Sequence, residues 1–160
     1  MTITVLLPGA SAPAEGTVIA VDSAALAHPC NWWVTLDWKL LREHAAAVKA
    51  KVLTNGFIAG MVRLKDATLT EGLLGQWPAL PTGWTLYPSS IALVFAAHLG
   101  AKHIELRGEV TGHEAQLVAG VVKMLDEKGV SVEMPTQEPI VNAGDSRKRI
   151  STQTPPSSAM

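Results

Sequence analysis

The sequence predicts one three-layer α/β domain of Rossmann-like type, in which a mainly parallel sheet carries helices on both faces. Short apolar runs rich in β-branched residues alternate along the chain with segments of helical period, as expected for strands buried beneath helices. Hydrophobic residues make up 48% of the chain and charged residues only 17%, which favours elements that are buried on more than one side. A length of 160 residues suffices for one domain with its own core.

Five apolar runs are predicted to be strands, because they are short and most end within a few residues of Gly, Pro or Asp. In chain order they are Ile3–Leu7, Thr17–Val21, Trp33–Leu36, His103–Arg107 and Val130–Met134. Lys51–Thr54 and Met61–Leu64 show a weaker strand pattern.

Three segments have apolar residues at helical spacing: Trp38–Lys49, Ser90–Leu99 and His113–Lys128. The last has a capping box, Thr111 with Glu114, before it and Gly129 after it. The middle helix is apolar nearly all round and is therefore expected to be buried. Ser89 and Ser90 are the expected caps at its start.

Two segments lack a regular period. Asp66–Thr85 is dominated by Gly, Pro, Thr and Trp, and a loop of this length in a compact domain is expected to be a lid or an interaction surface. Pro135–Met160 contains four prolines and few apolar residues, so it cannot offset its conformational entropy by burial. We therefore predict an α/β domain over 1–134 and a disordered or extended tail over 135–160. The basic triplet Arg147–Arg149 in the tail is either a solvated charge run or an anchor for a partner.

Composition narrows the classes of function. The net charge of -1 gives no general attraction to polyanions, which disfavours a nucleic-acid binder. Cys30 is the only cysteine and cannot form an internal disulfide. No apolar stretch approaches the ~20 residues of a membrane span, and Met1–Leu7 lacks the basic start of a signal peptide. We therefore expect a cytoplasmic protein.

Candidate ligand residues follow the predicted strands, where open α/β sheets bind ligands. Gly9 and Ser11 follow the first strand, and a glycine there allows a tight turn and a close approach to a phosphate or a sugar. An ordinary strand exit explains them equally well. Neither a Gly-x-Gly-x-x-Gly fingerprint nor a P-loop is present, so no conventional dinucleotide or ATPase site is assigned.

Two carboxylates follow the next two strands. Asp22 would either accept hydrogen bonds from a ribose or cap the following helix. Asp37 has three possible roles: a catalytic acid or base, a ligand of a divalent cation, or the cap of the helix that begins at Trp38. Adjacent strand ends would direct both carboxylates into one cleft.

A third candidate lies at the start of the apolar helix. The hydroxyls of Ser89 and Ser90 and the free N–H groups there would form an anion site, with plain helix capping as the alternative. His113 lies beside the same predicted ligand face.

Several of these segments together resemble the hydroxymethylpterin diphosphokinase (MptE)-like family, whose members are often encoded by bacteriophages. They are Thr17–Ala24, Trp33–Asp37, Ser89–Leu93 and Leu99–Gly108, and the likeness covers roughly residues 3–112. The resemblance adds Gly108 to the ligand-binding residues, in the place of a glycine that follows a late strand in the family. It also implies a relation to sialyltransferase-like folds, which bind a nucleotide-sugar in this cleft.

The chain departs from the family pattern on that face. It has Pro8-Gly9-Ala10-Ser11 where the family has Gly-x-Gly-Pro-Ser, Asp22 where the family has Asn, and Glu109 where the family has Asp. Two functions therefore stay open. The first is a transferase that binds a nucleotide or nucleotide-sugar, with Asp37 as its catalytic residue. The second is a non-catalytic binding or assembly protein, homo-oligomeric or phage-encoded, that keeps the fold and uses the long loop and the tail for its partners.

Overall fold

The computed structural model describes residues 1–11, 15–77 and 79–135. The seven strands in this part of the chain are β1 (Thr2–Leu6), β2 (Thr17–Val21), β3 (Trp32–Val34), β4 (Lys51–Thr54), β5 (Thr68–Leu69), β6 (His103–Arg107) and β7 (Ser131–Glu133). Within these ranges the five α-helices are α1 (Ala24–Ala27), α2 (Trp38–His44), α3 (Gly56–Met61), α4 (Pro88–His98) and α5 (Gly112–Glu127). The predicted tail lies outside the described residues from 136 onward.

All seven strands form one parallel sheet in the order β5-β4-β3-β2-β1-β6-β7. This confirms the predicted three-layer α/β fold. The chain runs outward from β1 to β5 and then returns through α4 to place β6 on the other side of β1. The carboxyl ends of β1 and β6 therefore flank the point at which the winding of the sheet reverses, and ligands of open α/β sheets bind at such a point.

Alternating side chains of the strands supply two cores. Ile3, Ile19 and Ile104 point into the larger core, which α4 and α5 cover. Val18 and Trp33 point into the smaller core, which α1, α2 and α3 cover. Helices thus lie on both faces of the sheet, as predicted from the alternation of strand and helix periods.

α4 is buried on every side, because residues 89–97 are each less than 9% exposed. The sheet lies beneath it and α5 beside it. The segment between β5 and α4, expected to be a long loop, begins and ends in short 3-10 turns that pack on α4. Leu73 and Trp84 of these turns belong to the larger core.

The structure corrects several predicted boundaries. The second helix ends at His44 rather than Lys49, and Met61–Leu64 is not a strand but the last residue of α3 and the turn after it. α1, α3 and β5 were not predicted, because each is at most six residues long and shows no full period. No helix is seen in the described residues between β1 and β2.

Candidate functional site

The candidate site lies at the carboxyl edge of the sheet, around the ends of β1, β2, β3 and β6. The N-termini of α4 and α5 lie at this edge as well, because both helices run antiparallel to the strands they connect. Leu7 extends the pairing of β1 and β6 by one hydrogen bond, from its N–H to the carbonyl of Arg107 at 2.8 Å. Gly108 then passes so close to Leu7 that a Cβ at position 108 would lie 2.7 Å from the Leu7 Cβ.

Gly9 and Ser11 are exposed on the loop that leaves β1. The N–H of Ala10 donates to the carbonyl of Leu7 at 3.1 Å and closes a tight turn around Gly9, whose φ is +87°. The turn predicted from this glycine is therefore present. Whether the loop binds a ligand stays a prediction.

Asp22 is the most constrained of the candidate residues. Its φ is +51°, a left-handed conformation that Asp adopts more readily than most residues. Its carbonyl accepts a hydrogen bond from the Trp33 Nε1 at 2.9 Å, and its Oδ1 accepts one from the Thr35 Oγ1 at 2.7 Å. The neighbouring strand β3 and the residue after it thus fix both its backbone and its carboxylate, which is how a strained conformation persists at a site.

The surroundings of Asp22 raise the pKa of its carboxyl above the ordinary value. Burial is the main cause, and the negative charges of Asp37 and Glu114 add to it, whereas the hydrogen bond from Thr35 acts in the opposite direction. Asp37 and Glu114 are therefore close enough for their charges to act on Asp22. A group whose protonation is shifted in this way is a candidate for proton transfer or for binding a ligand hydroxyl.

Asp37 caps α2, which is one of the three roles predicted for it. Its Oδ1 accepts hydrogen bonds from the N–H groups of Lys39 at 3.0 Å and Leu40 at 3.1 Å. Its own N–H donates to the Thr35 Oγ1 at 3.1 Å, so this fully buried hydroxyl joins Asp37 to Asp22. Asp37 remains exposed and accessible to a ligand.

Ser89 and Ser90 do not cap α4, because the helix begins two residues before Ser90 with Tyr87 as its N-cap and Pro88 in the first turn. Both serines are fully buried. The Ser89 Oγ donates to the Glu114 Oε2 at 2.6 Å, and the Ser90 Oγ has no hydrogen-bond partner among the described residues.

Glu114 therefore does not have the capping role that was predicted for it. The Thr111 side chain makes no capping hydrogen bond, so the predicted capping box with Glu114 is not formed. Instead, the Glu114 carboxylate crosses to α4 and lies near the positive ends of both helices. An acidic side chain thus occupies the position where a ligand anion was expected.

An aromatic pair borders this position. The Tyr87 hydroxyl lies 3.2 Å from the His113 Nδ1, and the two rings meet edge to face with their centroids 5.7 Å apart. His113 is exposed and lies in the first turn of α5, where the N–H groups have no helical partner. Together these groups offer donors to a ligand that approaches from solvent.

The structure brings Asp22, Asp37 and the Ser89–Glu114 pair to one edge, with Gly9, Ser11 and Gly108 on the loops around it. Sequence reasoning missed Thr35 and gave Glu114 only a capping role. Thr35 had a readable signal, because it is a polar residue at the end of an apolar strand and two positions before a carboxylate. Among the described residues, no group of three His, Cys, Asp or Glu side chains is arranged to hold a metal ion.

A separate groove of about 640 Å³ lies away from this edge, lined by the end of α1, the following loop and the end of α2. Cys30 is one of its lining residues, and burial raises the pKa of its thiol. A thiol held in the protonated form is a poor nucleophile. The groove therefore does not share the chemistry of the carboxyl edge.

Comparisons of the chain with models of protein families, with curated proteins and with solved structures found no match. Within the described residues, no helix is long and apolar enough to cross a membrane.

Proposed function

We propose that this chain binds a nucleotide or a nucleotide-sugar at the carboxyl edge of its sheet and acts as a transferase. One observation supports the proposal most strongly: α4 and α5 begin beside the reversal of strand order between β1 and β6, and Asp22 lies at the same edge, close enough to Asp37 and Glu114 for their charges to act on it. The resemblance to the MptE-like family is consistent with this class of ligand.

The phosphate groups of such a ligand would lie at the N-termini of α4 and α5. Unpaired N–H groups and the positive ends of two helices favour an anion there. Because the Glu114 carboxylate already accepts a hydrogen bond from Ser89, a phosphate has to displace it or be joined to it by a divalent cation. Gly9, Ser11 and Gly108 would line the loops that face the phosphates.

The sugar and the acceptor would lie toward β2 and β3. Asp22 is suited to hydrogen-bond a sugar hydroxyl, because its carboxylate accepts one hydrogen bond from Thr35 and has further lone pairs that can accept others. Asp37 would act as a base toward the acceptor or through a bound cation. The ligand would compete with the first-turn amides of α2 for this carboxylate.

A second candidate function is a binding or assembly protein without catalysis. It is favoured by the structural use of the carboxylates, since Asp37 caps a helix, Asp22 pairs with Thr35 and Glu114 pairs with Ser89. A protein that keeps the fold but has lost catalysis would use these three carboxylates for structural hydrogen bonds.

A thermal-shift screen with nucleotides and nucleotide-sugars, with and without Mg²⁺ or Mn²⁺, tests the proposal. A ligand at one hundred times its Kd stabilises the native state by about 2.7 kcal/mol. For a domain of this size that raises Tm by roughly 5–11 °C. Asp37→Asn should retain most of this shift and lose turnover of the donor, measured by ³¹P NMR.

The double variant Ser89→Ala, Ser90→Ala separates binding from stability. It should lose the ligand-induced shift, whereas Glu43→Gln on the exposed side of α2 should keep it. Shifts are compared with each variant's own ligand-free Tm, because loss of the Ser89–Glu114 hydrogen bond also lowers stability. If no nucleotide or sugar phosphate shifts the wild-type Tm, the proposal is wrong. Binding without turnover would favour the second function.

A further inference from the structure

We infer that the protein forms a two-fold symmetric homodimer through an apolar surface on α3 and β5. This surface, the α3 patch, consists of Phe57, Met61 and Leu69. The side chains of these residues are 77%, 39% and 40% exposed, although each is large and hydrophobic. Phe57 has the greatest exposure of the large hydrophobic residues in the described part of the chain.

The three side chains form one surface. Phe57 and Met61 are four residues apart on a helix and therefore lie on the same face. The Leu69 Cδ1 lies 3.7 Å from the position that a Cβ on Gly56 would take, so Leu69 packs beside the start of α3. The patch lies at the outer edge of the sheet, because β5 pairs only with β4.

Contacts around α3 keep the side chains of the α3 patch exposed to solvent. The inner face of α3 is filled by Ile58 and Ala59, which are 7% and 6% exposed, so Phe57 cannot turn toward the core. The start of the helix is fixed by the Asn55 Oδ1, which accepts from the Ile58 N–H at 2.8 Å. Both carboxylate oxygens of Glu71 also lie 3.0 Å from the Gly56 nitrogen. A surface that is already ordered loses little entropy when it binds.

The charges around the patch favour a second copy of the same surface. Arg63 and Lys65 are exposed just after α3, and Asp66 and Glu71 are exposed beside β5. Two positive and two negative groups make the rim neutral and able to complement itself, as a two-fold interface requires. An anionic membrane would instead be expected to select a rim with excess positive charge.

The apolar area of the patch suits the centre of a dimer interface. From their exposed fractions, the three residues offer about 300 Å² of apolar surface, about half of it from Phe57. A standard interface covers about 800 Å² on each partner, with an apolar centre and a polar rim. The charged residues around the patch supply that rim. Because β5 has only two residues, the contact depends on side chains and not on a continuous sheet.

Sedimentation velocity of the full-length protein over about 1–300 µM tests this inference, since the dimer fraction rises with concentration by mass action. We expect the wild-type mass to reach twice 16.9 kDa. Phe57→Ser should weaken self-association at least tenfold and leave Tm at low concentration unchanged, because the side chain makes little contact within its own subunit. Leu86→Ser is the matched control, since Leu86 is 61% exposed outside the patch and should not affect the dimer.

Three results would overturn the inference: a wild-type protein that stays monomeric at every concentration, a Phe57→Ser variant that dimerises like the wild type, or equal loss of dimer in Phe57→Ser and Leu86→Ser. Sedimentation of a monomeric protein with anionic vesicles, abolished by Phe57→Ser, would assign the patch to a membrane instead. The measurement uses no nucleotide, so its outcome is independent of the proposed ligand site.

Discussion

Gly108 offers the sharpest test of how the carboxyl edge is built. Its φ is +108°, outside the range that other residues adopt without strain, and an added Cβ would lie 2.7 Å from the Leu7 Cβ. We expect Gly108→Ala to cost about 1–2 kcal/mol in backbone strain. The steric clash adds about 1–3 kcal/mol, because the Leu7 Cβ is fixed to a paired backbone and cannot move aside as a flexible side chain would.

The sum is about 2–5 kcal/mol, out of the roughly 5–15 kcal/mol that stabilise a typical domain. Urea denaturation followed by tryptophan fluorescence measures it. Gly112→Ala is the matched control, because Gly112 also has a positive φ, +63°, but nothing lies within 4 Å of its added Cβ. It should cost about 1 kcal/mol from strain alone. If the two variants lose equal stability, the close approach of Gly108 to Leu7 is not what the site requires.

Three further predictions concern the carboxylates and the smaller core. The pKa of Asp22 is higher in the folded than in the unfolded protein, so its negative charge destabilises the native state at pH values above the folded-state pKa. This destabilisation disappears as the pH falls from the folded-state pKa to the unfolded-state pKa, because the carboxyl becomes protonated. Asp22→Asn should therefore be more stable than wild type at neutral pH, with a difference that shrinks on acidification in denaturant titrations; a difference independent of pH would refute the electrostatic cause. Glu114→Gln should lower the pKa of Asp22 in a carboxyl-detected NMR titration, since it removes one of the two neighbouring negative charges, but burial should keep that pKa above the ordinary value. Leu41→Ala should cost about 2–5 kcal/mol in urea denaturation, because this fully buried side chain fixes α2 to the smaller core. A cost near zero would show that α2 contributes little to the fold.

The parallel sheet was predictable because the central strands β1 and β2 are buried along most of their length and are mostly apolar. Thr17–Val21 and His103–Arg107 were predicted at their observed boundaries. The short elements at the β5 edge were not, because a helix of six residues and a strand of two have no period of their own. They depend on tertiary contacts such as that between Glu71 and Gly56, fifteen residues apart.

The site was predictable in position but not in its pairings. A residue that follows a strand in a parallel sheet must lie at the carboxyl edge, which placed Asp22 and Asp37 correctly on that edge. Which group accepts which hydrogen bond depends on how α4 and α5 pack together. The pairing of Ser89 with Glu114 therefore replaced the capping that local sequence rules favoured. Local rules describe one helix end at a time, whereas here two helix ends meet.

The burial of α4 on every side determines how a ligand can reach the edge. The turns that cover it, at Thr70–Leu73 and Trp84–Leu86, cannot swing away without exposing an apolar helix to water. Exposing even 200 Å² of it would cost about 5 kcal/mol, which is comparable to the whole stability of a typical domain. If the carboxyl edge binds a ligand, as proposed, we therefore expect it to enter over the loops after β1 and β6, with α4 held rigidly beneath it.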